Sequence, residues 1–227
     1  MFKVLLWDMD GTLLNFLLSE KYAIRKGFEH FALGECSDET VRLYSELNLK
    51  HWKMLERGEI TKSEVKVGRY RELFERLKIT SVTPEEFTAF YEKALPETAE
   101  YIGNAKAVLQ SLKGRYKQYI VTNGTKSVQV KKLEKSGLND IIDGAFISDE
   151  IGYEKPSREF FGYVLDNIIP CKRDEILIIG DSLTSDMQGG NNAEIKCCWF
   201  NPDGEENNTE LKIDYEIRAV DEILNIL

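Results

Sequence analysis

The sequence predicts a doubly wound parallel α/β sheet, interrupted after its first strand by an inserted all-helical domain. Three observations carry this expectation. The run Val4-Leu5-Leu6-Trp7 is short and evenly apolar, which suits a strand covered on both faces. From Pro96 onward, strand-like apolar runs alternate with helical segments, the pattern of parallel strands joined by crossover helices. Between them lies a block, residues 16–95, in which nothing resembles a strand. The expected organisation is an α/β core from residues 1–15 and 96–227, with a helical domain at 16–95.

The helical block divides into segments at 17–33, 38–55, 62–77 and 84–94. Each shows one apolar stripe, as with Val65, Tyr70, Leu73, Phe74 and Leu77. Two starts are well marked. Thr61-Lys62-Ser63-Glu64 is a capping box, and Thr83-Pro84-Glu85-Glu86 adds proline at the first helical position. In the alternating part, strands are expected at 116–121, 145–147, 176–179 and 197–200. Helices are expected at 102–112, 126–136 (closed by Gly137), from Ser157, and at 185–193, with a short strand and helix finishing the chain.

Composition narrows the function classes. Of 227 residues, 42% are hydrophobic and 30% charged, an ordinary balance for a folded globular protein. No apolar run approaches the roughly 20 residues that span a bilayer, so no membrane partner is expected. Met1 leads almost directly into the first strand, so no signal peptide is expected and a cytoplasmic location is. Cys36, Cys171, Cys197 and Cys198 lack C-x-x-C spacing and read as reduced core residues. Residues 16–95 carry 14 basic and 14 acidic residues, so the whole net charge of −9 falls on the remainder. An acidic core is a poor partner for nucleic acid and needs a local cation to hold any anion.

Three predicted strands end in polar sequence: Asp8-Met9-Asp10-Gly11-Thr12, Thr122-Asn123-Gly124 and Gly180-Asp181. Lys155 follows a fourth strand, and Asp186 lies five residues after Asp181. Side chains at i and i+2 of a strand leave on the same side, so Asp8 and Asp10 are expected to face one crevice. Ligand crevices of parallel sheets lie beyond the carboxyl ends of the strands, where these segments would converge. Taken singly, each is equally an ordinary feature. Asp-Met-Asp-Gly and Thr-Asn-Gly are common turns, Lys155 before proline suits a solvated loop, and Asp181 and Asp186 suit the start of a helix. Their joint placement on one sheet edge is what points to a site.

As a set, these segments resemble the four motifs of the haloacid dehalogenase superfamily of aspartate-nucleophile phosphohydrolases. The matching positions are Asp8-x-Asp10-Gly11-Thr12, Thr122, Lys155-Pro156, and Gly180-Asp181 with Asp186. The helical insertion sits where that family's first type of cap domain belongs. The resemblance implies that Asp8 attacks phosphorus to form an aspartyl-phosphate. Asp10 would protonate the leaving oxygen and later take a proton from water, its proton retained through a neighbouring carboxylate. Mg²⁺ would be held by Asp8, the backbone carbonyl of Asp10 and Asp181, with Asp186 in support, a histidine-free oxygen set that suits this ion. Thr122 and the backbone N–H of Asn123 would hold phosphate oxygens. Lys155 would supply fixed positive charge beside Asp8.

An acid at position 10 favours phosphate transfer over dehalogenation, which has no leaving group to protonate. The segments Ile151-Gly152-Tyr153-Glu154-Lys155-Pro156, Asp186-Met187-Gln188-Gly189-Gly190-Asn191-Asn192-Ala193 and Cys198-Trp199-Phe200-Asn201-Pro202 are similar to those of non-canonical pyrimidine 5′-nucleotidases. The implied substrate is a small phosphate ester, a nucleoside 5′-monophosphate. Sugar-phosphate or phosphoglycolate phosphatases and β-phosphoglucomutase are the alternatives within the family. A phospho-accepting switch domain or a non-catalytic binding module are alternatives of another class, but a switch domain carries its acceptor on a middle strand and no insertion after the first. Glu194 departs from the pattern, since relatives commonly end that helix with glycine. The family's cap would select the leaving group. Among its aromatics, Phe16, Trp52, Tyr44, Tyr70, Phe74 and Phe90 are read chiefly as core, and His30 and His51 receive no role.

Overall fold

The computed structural model describes residues 1–227. The chain forms two compact units: Met1–Asn15 with Glu100–Leu227, and Phe16–Ala99.

The first unit is built on a six-stranded sheet of β1 (Val4–Trp7), β2 (Lys117–Thr122), β3 (Gly144–Ile147), β4 (Ile176–Gly180), β5 (Lys196–Phe200) and β6 (Tyr215–Ile217). The order is β3-β2-β1-β4-β5-β6 and every pairing is parallel. The strand that opens the chain is therefore central, with Trp7 in register with Ile120 on one side and Ile179 on the other. Val4, Leu5, Leu6 and Trp7 are all fully buried, which explains why the run carries no polar alternation. Because β2 lies on one side of β1 and β4 on the other, the winding reverses at β1 and opens a crevice at its carboxyl end.

The second unit holds α1 (Phe16–His30), α2 (Asp38–Glu56), α3 (Lys62–Leu77) and α4 (Pro84–Ala94). Both capping boxes form: Thr61 with Glu64, and Thr83 with Glu86. Each such cap contributes about 1 kcal/mol to its helix. The centre of the unit is aromatic. Tyr44, Tyr70 and Tyr91 are fully buried, the Tyr44 and Tyr70 hydroxyls lie 2.8 Å apart, and the Arg69 guanidinium sits 4.9 Å from the Tyr70 ring. Arg69 also donates to Asn48, which donates to Glu20. Phe74 joins this core, while Phe16, Trp52 and Phe90 are only partly buried. His30 stacks on Phe90, and His51 bonds through Nδ1 to the Leu47 carbonyl.

The remaining helices of the first unit are α5 (Ala105–Leu112), α6 (Lys126–Ser136), α7 (Ser148–Ile151), α8 (Arg158–Asn167) and α9 (Gln188–Asn192). Helix α5 begins three residues later than its periodicity predicts. The chain before it is occupied in backbone pairing: Leu14 bridges Tyr101, and the Ile102 N–H donates to the Leu13 carbonyl. The segment predicted as one helix over 185–193 is a π turn at Leu183–Met187 leading into α9. The last helical piece, Val220–Asn225, is a 3₁₀ helix. Helix α1 stops at His30, ahead of the predicted residue 33, because Ala32 adopts φ +50°. Glu194 follows α9 at φ +57°, the left-handed conformation that glycine takes without steric cost. No helix is long and apolar enough to cross a membrane.

Candidate active site

Beyond the carboxyl end of β1 the strand alternation stops. Asp8 keeps one sheet-like bond, its N–H donating to the Ile179 carbonyl, after which the chain turns. Gly11 takes φ +98°, and Leu13 and Leu14 both bond back to the Met9 carbonyl. Asp8 and Asp10 consequently do not share one continued strand, and each meets a different set of groups. The i, i+2 rule applies only while the backbone stays extended.

Asp8 is buried. Its Oδ1 accepts from Lys155 Nζ at 2.7 Å, and its Oδ2 is buried without a hydrogen-bond partner. The same ammonium donates to Asp186 Oδ1 at 2.6 Å and to the Val121 carbonyl at 2.8 Å, so its three N–H donors are all placed. Asp186 Oδ2 accepts from the Ser182 N–H at the turn after β4. Asp181 Oδ1 accepts from the Thr12 hydroxyl at 3.0 Å. Two glycines make this crowding possible. A Cβ on Gly180 would lie 2.3 Å from the Asp186 carboxyl, and one on Gly11 would lie 2.7 Å from Asp181 Oδ2.

One carboxylate oxygen from each of Asp8, Asp181 and Asp186 lies within 4.8 Å of the others. Three carboxylates against the one ammonium of Lys155 leave a formal charge of −2. Burial pushes the Asp8 carboxyl well above the usual carboxylate range; Lys155 pulls it down, and Asp186 and Asp181 push it further up. Asp181 presents exposed surface, yet the protein around it desolvates the carboxyl and, with Asp186 beside it, raises it to about 7. Burial works against the Lys155 charge, but Asp186 and Asp8 outweigh it and hold the ammonium above the ordinary lysine range. A partnerless Asp8 oxygen within an all-oxygen set of uncompensated negative charge fits a hard divalent cation.

Thr122 ends β2 and is buried, its hydroxyl accepting from Gln129 Nε2 at 2.7 Å. The Asn123 side chain has a use the sequence does not announce. Its Oδ1 accepts from the Lys155 N–H and its Nδ2 donates to the Lys155 carbonyl, so the amide clamps the backbone that carries the lysine. Asp10 is half-buried and faces α6: Lys132 Nζ donates to Oδ1 at 2.6 Å, and Gln129 Nε2 to Oδ2 at 3.0 Å. The hydrogen-bond partners of Asp10 are thus a cation and an amide. Asp8, Lys155, Asp186 and Asp181 form one bonded or closely spaced group, and Asp10 joins Thr122 through Gln129.

Gln129 and Lys132 are absent from the motif reading. The signal for them is present but indirect. The buried face of α6 comprises Val128, Gln129, Lys132, Leu133 and Ser136, so three polar side chains fall on the stripe that an amphipathic helix gives to apolar ones.

Residues 5–200 match the profile of the family described as haloacid dehalogenase-like hydrolase. The chain belongs to this family. Among its relatives, the HAD-hydrolase YfnB of Bacillus subtilis is 34% identical over 226 residues, covering 100% of this chain and 95% of YfnB. The pyrimidine 5′-nucleotidase PynA of Streptococcus pneumoniae is 33% identical over 100% of this chain and 95% of its own. The pyrimidine 5′-nucleotidase YjjG of Escherichia coli is 28% identical over 97% and 96%. The crystal structure of YfnB, described as bound to magnesium and as revealing interdomain movement, matches with a TM-score of 0.94 over 100% of this chain and 98% of that one. The α/β fold is therefore that of a hydrolase family.

Proposed function

We propose that this chain is a Mg²⁺-dependent phosphomonoester hydrolase acting through an aspartyl-phosphate, with nucleoside 5′-monophosphates of the pyrimidine series as substrates. The observation that carries the reading is the state of Asp8: one oxygen on Lys155, the other buried and unpartnered, with Asp181 and Asp186 close by. Full-length similarity to two pyrimidine 5′-nucleotidases supports the choice of substrate.

Asp8, Asp181 and the backbone carbonyl of Asp10 would hold Mg²⁺, with Asp186 in support. When bound, the ion supplies charge that screens a phosphate dianion from the approaching carboxylate. Asp8 forms a bond to phosphorus as the ester P–O bond breaks, and Asp10 gives the departing oxygen a proton. In the second half, Asp10 takes a proton from a water whose oxygen attacks phosphorus. Inorganic phosphate leaves and Asp8 is regenerated. The Thr122 hydroxyl and the Asn123 N–H bind phosphate oxygens, and Lys155 opposes the negative charge gathered at the reacting centre.

The test is a substrate panel with Mg²⁺ and with chelator, comparing UMP, dUMP and dTMP with hexose phosphates and phosphoglycolate. Preference for the nucleotides and loss of turnover with chelator are expected. Preference for sugar phosphates or phosphoglycolate would overturn the nucleotidase assignment. Interconversion of glucose phosphates without phosphate release would identify a mutase.

A further inference from the structure

Asp10 is held from α6 by two side chains that the proposed chemistry has not yet used. Lys132 and Gln129 are each only 1% exposed. A lysine is buried to this degree only where a partner balances its charge, and here its ammonium lies 2.6 Å from Asp10 Oδ1. Gln129 Nε2 is shared between Asp10 Oδ2 at 3.0 Å and the Thr122 hydroxyl at 2.7 Å, while its Oε1 is buried without a partner. The backbone after β2 is shaped around this amide, since a Cβ on Gly124 would lie 2.5 Å from Gln129 Nε2. The turn after β1, the end of β2 and one face of α6 thus meet at the Asp10 carboxyl.

We propose that Lys132 and Gln129 are positioning residues that orient Asp10 for proton donation, Lys132 fixing Oδ1 and Gln129 holding Oδ2 in reach of the phosphate site marked by Thr122. The proposal rests on the reading of Asp10 as the proton donor. The two bonds to Asp10 are unequal. The charge-assisted one to Lys132 is the stronger and anchors the carboxyl, whereas the neutral amide bond is the one more readily exchanged for a leaving oxygen. The donor form carries at Oδ2 a proton taken up from solvent before the step; as the ester P–O bond breaks, that proton passes to the departing oxygen, and the carboxylate that remains lies beside the Lys132 ammonium.

A positioning role for the proton donor differs from a structural one in its dependence on the leaving group. A nitrophenolate departs without a proton, whereas a nucleoside alkoxide needs one. The experiment compares kcat/KM for wild type, Lys132→Met, Lys132→Arg and Gln129→Leu, with Mg²⁺, on p-nitrophenyl phosphate and on UMP. This parameter covers the steps through departure of the alcohol. Lys132→Met is expected to lose about 10²-fold on UMP, and at least about tenfold less than that on p-nitrophenyl phosphate. Lys132→Arg keeps the charge and should recover most of the difference, and Gln129→Leu should show the same bias at smaller size. Equal losses on both substrates, or none on either, would overturn the proposal. Circular dichroism checks the fold; if Lys132→Met does not fold, the bias of Gln129→Leu decides. A wild type that turns over p-nitrophenyl phosphate and an alkyl phosphate other than UMP, but not UMP, overturns the nucleotide assignment alone, and the ratio is then read on that alkyl phosphate. A wild type inactive on every ester overturns the hydrolase reading, and this proposal with it.

Discussion

Lys155 Nζ lies 2.7 Å from Asp8 Oδ1 although 147 residues separate the two in sequence, and both side chains are buried. Removing the ammonium leaves Asp8 and Asp186 as uncompensated buried carboxylates, an imbalance that typically costs about 3–5 kcal/mol. Lys155→Met should therefore lower stability by at least about 3 kcal/mol in chelator and abolish phosphatase turnover. Denaturant unfolding with and without Mg²⁺ measures the first effect. Stability equal to wild type in chelator would exclude the ion pair as drawn.

Asp8→Asn keeps the shape of the side chain and removes the proposed nucleophile. Turnover should vanish, while the far-ultraviolet spectrum stays that of the wild type. Trapping with radiolabelled substrate should label the wild type and not the variant. Activity within about tenfold of wild type, a loss far smaller than removal of a nucleophile produces, would refute Asp8 as the attacking group.

Asp181 gives the site a pH dependence with a definite sign. Its carboxyl rises from the ordinary 3.8 to about 7 in the folded chain. Between those values the folded state keeps a proton that the unfolded state has lost, so stability from this group falls as pH rises and is gone above about 7. In chelator, Asp181→Asn should flatten that part of the profile of melting temperature against pH. A divalent cation held by Asp181, as proposed, would compete with the same proton, so the Mg²⁺-induced rise in melting temperature should be larger at pH 8 than at pH 5. An equal rise at both values would remove Asp181 from the metal set.

Glu194 occupies a left-handed conformation at φ +57° and is exposed. A side chain there costs about 1–2 kcal/mol that glycine does not incur, less what glycine adds to the unfolded-chain entropy. Glu194→Gly should stabilise the protein by roughly 1 kcal/mol without altering KM. A lower melting temperature would mean that the glutamate makes a favourable interaction of greater size.

Asn123 spans the gap between β2 and the Lys155 backbone with both ends of its amide. Asn123→Ala should cost about 1–3 kcal/mol and reduce kcat more than KM if the lysine it steadies acts on the reacting group as proposed. A change confined to KM would assign the side chain to substrate binding instead.

Much of the architecture follows from local pattern. Val4–Trp7 is apolar at every position because both its faces are covered, and the capping boxes at Thr61 and Thr83 mark where α3 and α4 begin. Element limits shifted where non-local backbone bonds intervened, as at Ile102, or where one residue turned left-handed, as at Ala32. The motif residues Asp8, Thr122, Lys155 and Asp181 were legible because strand ends and turns write them into short segments of unusual polarity.

The partners of those residues were not legible in the same way. That Asp10 would meet Lys132 and Gln129 across more than a hundred residues depends on how α6 packs beside the turn after β1. That Asn123 would grip the Lys155 backbone with its side chain depends on how a later loop returns to β2. Sequence alone determined the main strands and helices, their order and the chemical character of the sheet edge, because hydrophobic period and turn chemistry act over a few residues. Tertiary structure alone decided which charges face one another, because hydrogen bonds and Coulomb forces depend on distances of a few ångströms between segments whose separation along the chain says nothing of their separation in space.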